Sequence, residues 1–100
     1  MNLLRTMAQK LRAWLDPNPL RLEELLYKAV DIEADRLTCE QTARVREFVA
    51  HGEFRLALDQ LCDTLADLEL SPRPITDELI WEAAAMMGLP AIYGTPPPPS

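Results

Sequence analysis

The sequence predicts an all-α fold, a compact antiparallel bundle of four to five helices followed by a disordered Pro-rich C-terminal tail. Three observations predict it. Apolar residues recur at steps of three and four along most of the chain, the spacing that gathers side chains on one face of a helix. No stretch alternates apolar and polar residues between hairpin-type turns, so a sheet has no support. The breaks between periodic segments are short and made of helix-ending residues, and short connections place neighbouring helices antiparallel. The bundle is expected to fill residues 1–90 as a single domain, with residues 91–100 as the flexible tail.

The first expected helix carries Leu3, Leu4, Met7, Ala8, Leu11, Trp14 and Leu15 on one stripe and ends before Pro17 and Pro19. Its charges over residues 3–15 are all basic, Arg5, Lys10 and Arg12. The stripe is wide enough for a core face, and that reading is preferred to a membrane-surface or targeting helix. Asn18 can cap a second helix with Pro19 at its first position, where the missing N–H costs nothing. Its inward residues are Leu22, Leu25, Leu26, Ala29 and Ile32. Thr38-Cys39-Glu40-Gln41 reads as a capping box opening a third helix, with Thr42, Val45, Phe48 and Val49 inward and His51-Gly52 at its end. The fourth helix has the best pattern, Phe54, Ala57, Leu58, Leu61, Cys62, Leu65 and Leu68, and Ser71-Pro72-Arg73-Pro74 breaks it. Thr76 is expected to cap a fifth helix with Asp77 and Glu78 at the positive end of its dipole and Leu79, Ile80, Ala83, Ala84 and Met87 inward. Gly88 and Pro90 end it, and residues 95–100, with four consecutive prolines, cannot form a packed element.

Composition narrows the function classes. Hydrophobic residues make up 48% of the 100 residues, enough for one folded core and too few residues for a second. Sixteen acids against ten bases give a net charge of -6, which disfavours direct contact with a nucleic-acid backbone. With one His and two Cys there is no CxxC, HExxH or His cluster, and Cys39, His51 and Cys62 do not have the spacing of zinc ligands. The two cysteines read as buried helix thiols, and His51 as a helix-end residue favoured by the negative end of the dipole. Three glycines leave no phosphate-cradling loop, and no apolar run is long enough to span a membrane. No secretory leader pattern opens the chain, so the expected location is the cytoplasm. No cofactor, metal or catalytic activity is expected.

The acidity is concentrated. Residues 53–82 hold eight acids against Arg55 and Arg73, while the remaining 70 residues are formally neutral. Asp59, Asp63 and Asp67 stand at i, i+4 and i+8, nearly opposite the apolar stripe of the fourth helix. Like charges at that spacing cost a helix a few tenths of a kcal/mol per pair, so local stability does not select them. Leu56 falls on the same outward face. On the fifth helix Trp81 points away from the core face among acids that include Glu78 and Glu82, so it is either a partner anchor or a side chain covered by a neighbouring segment or by the tail. An exposed line of carboxylates lacks the confinement that raises a pKa for acid catalysis. The candidate partner-binding residues are therefore Leu56, Asp59, Asp63, Asp67, Glu78, Trp81 and Glu82.

The segment Glu47-Phe48-Val49-Ala50-His51-Gly52-Glu53-Phe54-Arg55-Leu56-Ala57-Leu58-Asp59-Gln60-Leu61-Cys62-Asp63-Thr64-Leu65, with Leu79 and Met87-Gly88-Leu89 beyond it, resembles the core of the MafI family of bacterial immunity proteins. The resemblance covers roughly residues 40–90, about half the chain. It implies a protein without enzymatic activity that neutralises a polymorphic toxin, often a nuclease, and it transfers no contact residues. An acidic helical protein suits a basic nuclease domain, since opposite potentials speed encounter and fix orientation. The expected partner is that toxin, with no nucleic acid or membrane bound directly and a monomer or weak homodimer as the acting form. The alternative is a helical regulatory or adaptor module that docks a partner helix or offers its Pro-rich tail.

Overall fold

The computed structural model describes residues 19–90 and 93–96. The expected first helix and the Asn18 cap lie outside the described residues. Within them the fold is all-α, with helices α1 (Pro19–Glu33), α2 (Cys39–Ala50), α3 (Phe54–Asp67) and α4 (Pro74–Met86) and a single 3-10 turn (Ala34–Arg36) after α1. These are the second to fifth helices of the sequence reading, and there is no strand among the described residues.

Local chemistry accounts for the helix ends. Pro19 opens α1 as expected. The capping box of α2 is formed: Thr38 Oγ1 accepts the Gln41 N–H at 3.0 Å, and Gln41 Oε1 accepts the Thr38 N–H at 2.9 Å. Three helices end in the same six-residue motif, in which a left-handed residue lets its own N–H and that of the next residue reach back to orphan carbonyls. After α2 and α4 that residue is Gly52 (φ 72°) and Gly88 (φ 69°). After α3 it is Glu69 (φ 56°), with the Leu70 N–H on Leu65 O at 2.8 Å and the Glu69 N–H on Ala66 O at 2.9 Å. α3 therefore stops at Asp67, ahead of the prolines expected to break it, and Leu68, assigned to its inward stripe, is 42% exposed.

A second correction concerns α4. Arg73 is its N-cap residue and Pro74 its first helical residue, so Thr76 is not the cap and is fully buried inside the first turn. Proline at this first position explains the shift, because its fixed φ and missing N–H suit a helix start.

Helix α1 is the centre of the bundle. It packs most extensively on α4 and also meets α2 and α3, while α2 and α3 form the second close pair. The α1–α4 pair is antiparallel: Arg21 near the start of α1 reaches Glu82 late in α4, and Glu33 at the end of α1 reaches Arg73 at the start of α4. Leu25, Leu26, Leu58, Leu61, Leu65 and Ile80 are essentially inaccessible, and each buried side chain of this size contributes roughly 1.5–3 kcal/mol. α3 and α4 meet over only a short stretch. Their poor contact is what leaves a groove between them.

One carboxylate lies within the core. Glu33 follows Ala29 and Leu26 at steps of four and three on the buried face of α1 and is 0% exposed. Its Oε2 accepts the backbone N–H of Arg73 at 2.8 Å, so it supplies to α4 the capping acceptor that Arg73 lacks. Its Oε1 accepts from the guanidinium groups of Arg36 and Arg73. Arg73 also donates to Ile32 O and, with two nitrogens, to Asp35 at 2.7 and 2.8 Å, while Arg36 reaches Ser71 O at 2.9 Å. Burial alone would push the Glu33 carboxyl upward; the Arg73 N–H and the Arg36 guanidinium outweigh it and hold the group below its ordinary range. Among the described residues the Thr76 hydroxyl has no partner within hydrogen-bond geometry, yet it lies close enough to Glu33 to favour the same ionised form.

Candidate functional site

The groove between α3 and α4 has a volume of about 460 Å³. From α3 it takes Asp59, Cys62, Asp63, Leu65 and Ala66; from the connecting loop, Leu70 and Pro72; from α4, Asp77 and Ile80. Its floor is apolar because Leu65 and Ile80 belong to the core, and three carboxylates line it. Tyr93 and Gly94 complete the lining. Arg55, one turn before Asp59 on α3, is 4.0 Å from the Asp59 carboxylate, a distance at which little net stabilisation is expected.

The field of these acids is felt by the thiol among them. Burial, then Asp59, Asp63 and Asp77, push Cys62 up to about 11, so it stays protonated at neutral pH and reacts slowly as a thiol. Cys62 is half-buried and Cys39 is exposed at the start of α2, so the expectation of two buried thiols is corrected; both are free. The exposed position of Cys39 follows from its place in the capping box, where the first turn faces water. His51 is exposed at the end of α2 with its Nδ1 2.7 Å from Glu47 O. Among the described residues no group of three His, Cys, Asp or Glu side chains is placed to hold a metal ion, and no helix is long and apolar enough to cross a membrane.

The seven candidate residues divide. Asp59 and Asp63 line the groove together, and Asp59 is not a free carboxylate: Tyr93 Oη donates to its Oδ1 at 2.8 Å. Asp67 and Leu56 stand on the outer surface of α3, Leu56 being 50% exposed. Trp81 is half-buried beside Tyr93, Leu89 and Pro90, in a small cleft of about 120 Å³, so it is covered in part by the C-terminal segment. Glu78 is exposed, and Glu82 faces the other way, bonded to Arg21 of α1 at 3.0 Å. Asp77 and Tyr93 were not among the candidates. Asp77 was legible as an acid one turn before Trp81, but only the approach of α3 and α4 sets it opposite Asp59 and Asp63.

No family model matches the chain, and no curated protein or solved structure matches it.

Proposed function

We propose that the protein is an immunity protein that binds and neutralises a cognate bacterial polymorphic toxin, a basic nuclease domain, by noncovalent occlusion through the acidic surface of α3 and α4. The observation that carries this reading is the acid-lined groove. Asp59, Asp63 and Asp77 surround an apolar floor with Arg55 as the neighbouring cation. Such a site accepts an arginine or lysine whose hydrocarbon stem lies on the floor while its charge meets the carboxylates. Asp67 and Leu56 extend the surface along α3, and Glu78 extends it along α4. The core pattern of the MafI-like segment supports the same partner class. On this reading the protein acts in the cytoplasm as a monomer or weak homodimer, and the toxin, not nucleic acid or membrane, is its ligand.

The test is whether the adjacent reading frame encodes a toxin-like C-terminal domain whose coexpression with this chain protects the host, followed by binding measurements on the purified pair. Host survival and tight binding at low salt are expected. Replacing Asp59, Asp63 and Asp67 together by Asn is expected to slow association about tenfold and flatten its salt dependence, with a smaller effect on dissociation. An unchanged on-rate and salt slope would move the interface off this face. No binding at low salt would end the reading.

A further inference from the structure

The described C-terminal residues lie on the groove. Tyr93 bonds Asp59 on α3, and Gly94 sits against the backbone of α4. The approach of Gly94 is as close as a backbone can make: a Cβ there would fall 2.4 Å from Asp77 O and 2.6 Å from Trp81 N, and its φ of 66° is strained for any other residue. The segment therefore spans from one wall to the other, fixed by a phenol at Asp59 and a bare backbone at Asp77–Trp81.

What holds it is different from what holds the helices. The fully buried core contains no residue of 93–96, and Tyr93 packs against that core only as a half-buried neighbour. The bond at Asp59 raises the phenol's affinity for its proton, which keeps it a donor. A neutral phenol nonetheless leaves the groove's charge in place. A guanidinium or ammonium offered by another chain adds an opposite charge to its hydrogen bond with the same carboxylate, which the phenol does not.

We propose that Tyr93–Gly94 is a detachable strap that closes one rim of the acidic groove, engages Asp59 in cis and competes for that carboxylate with a basic segment of the partner protein. The competing ligand is an arginine- or lysine-bearing polypeptide, and the partner half of the proposal rests on the reading of the groove given above. Strap release frees Asp59 and widens the groove that Cys62 lines together with Tyr93 and Gly94. Binding strength is thus set by the difference between the partner's cation and the strap's phenol at one carboxylate.

The full chain carrying Cys39→Ser has Cys62 as its sole thiol, and its rate of alkylation by N-ethylmaleimide reports strap opening without any partner. Gly94→Ala is expected to speed alkylation about tenfold, because both the Cβ clash and the left-handed φ penalise the closed strap. Tyr93→Phe, which removes one hydrogen bond to a carboxylate and nothing from the helices, is expected to speed it several-fold. Helical circular dichroism and the thermal midpoint are expected to move little. Equal alkylation rates in parent and both variants overturn the strap. So does a rate rise in Tyr93→Phe that tracks a matching fall in midpoint, since the segment is then part of the cooperative fold. Octa-arginine is the probe for the competing cation: it is expected to bind Tyr93→Phe and Gly94→Ala several-fold more tightly than the parent and to protect Cys62. Faster alkylation without tighter octa-arginine binding overturns the competition. Loss of host protection in coexpression, with both strap readouts as expected, defeats the toxin reading alone.

Discussion

At the α1–α4 corner two carboxylates, Glu33 and Asp35, meet two guanidinium groups and a backbone N–H. Along the α3–α4 groove three carboxylates, Asp59, Asp63 and Asp77, meet one phenol and one arginine at 4.0 Å. The two clusters share helix α4, one on its α1 side and one on its α3 side, and use the same residue types to different ends. At the corner each charge is matched, because Glu33 is out of water and an unmatched carboxylate there costs several kcal/mol. In the groove water still reaches the carboxylates, so mutual repulsion is affordable and the negative potential persists. Charge that serves the fold is neutralised locally, and charge left over stays open to solvent.

The largest expected effect breaks the corner. Glu33→Ala leaves the Arg73 N–H, Arg36 and Arg73 without their shared acceptor and is expected to cost roughly 2–4 kcal/mol, below the full cost of a buried pair because both arginines keep contact with water. Urea denaturation measures it, and a loss under about 1 kcal/mol would mean the corner is no more structural than the groove. The acid limb sharpens the same point. Glu33 and Asp35 are both held below their ordinary range in the folded protein, so their contribution is complete above the unfolded carboxylate pKa and is lost as pH falls through the lower folded values. A shallower loss of stability on acidification is therefore expected for Glu33→Gln than for the parent.

An intermediate effect lies in the loop that joins the two regions. Glu69 holds a left-handed conformation that Gly52 and Gly88 hold at equivalent helix ends. Glu69→Gly is expected to stabilise the protein by about 0.5–1 kcal/mol, read as a higher urea midpoint with an unchanged slope. A loss of stability would mean the Glu69 side chain contributes contacts of its own. The smallest effect is in the groove. Asp63→Asn removes like-charge neighbours at Asp59 and Asp67 and is expected to raise stability by a few tenths of a kcal/mol, more at low salt than at high. A destabilisation of 1 kcal/mol or more would show that the groove acids, like those at the corner, are part of the fold.

Much of this architecture is legible in the residues. The Thr38–Gln41 capping box, the Gly52 and Gly88 ends and the stripes of Leu25, Leu58, Leu61, Leu65 and Ile80 follow from local geometry and spacing. Glu33, an acid four residues after Ala29 on a buried stripe, signals in the sequence that something must meet it, but local spacing does not say what. Thr76 was read as a cap because its residue type favours that place; Arg73 took it because a carboxylate forty residues earlier in the chain supplied the acceptor. Of the site, Asp59, Asp63 and Asp67 were visible as one line on one helix. The groove was not, since it requires α4 and Tyr93.

The sequence by itself determined that this protein is helical, that α2 and α4 end at Gly52 and Gly88, which faces are apolar and where its negative charge is concentrated, because each of these depends on residues within a turn or two of one another. The tertiary structure decided which acids are neutralised and which remain open to solvent. That choice depends on side chains brought together across the bundle, Arg73 to Glu33 and Tyr93 to Asp59, at separations in sequence over which no periodicity carries information.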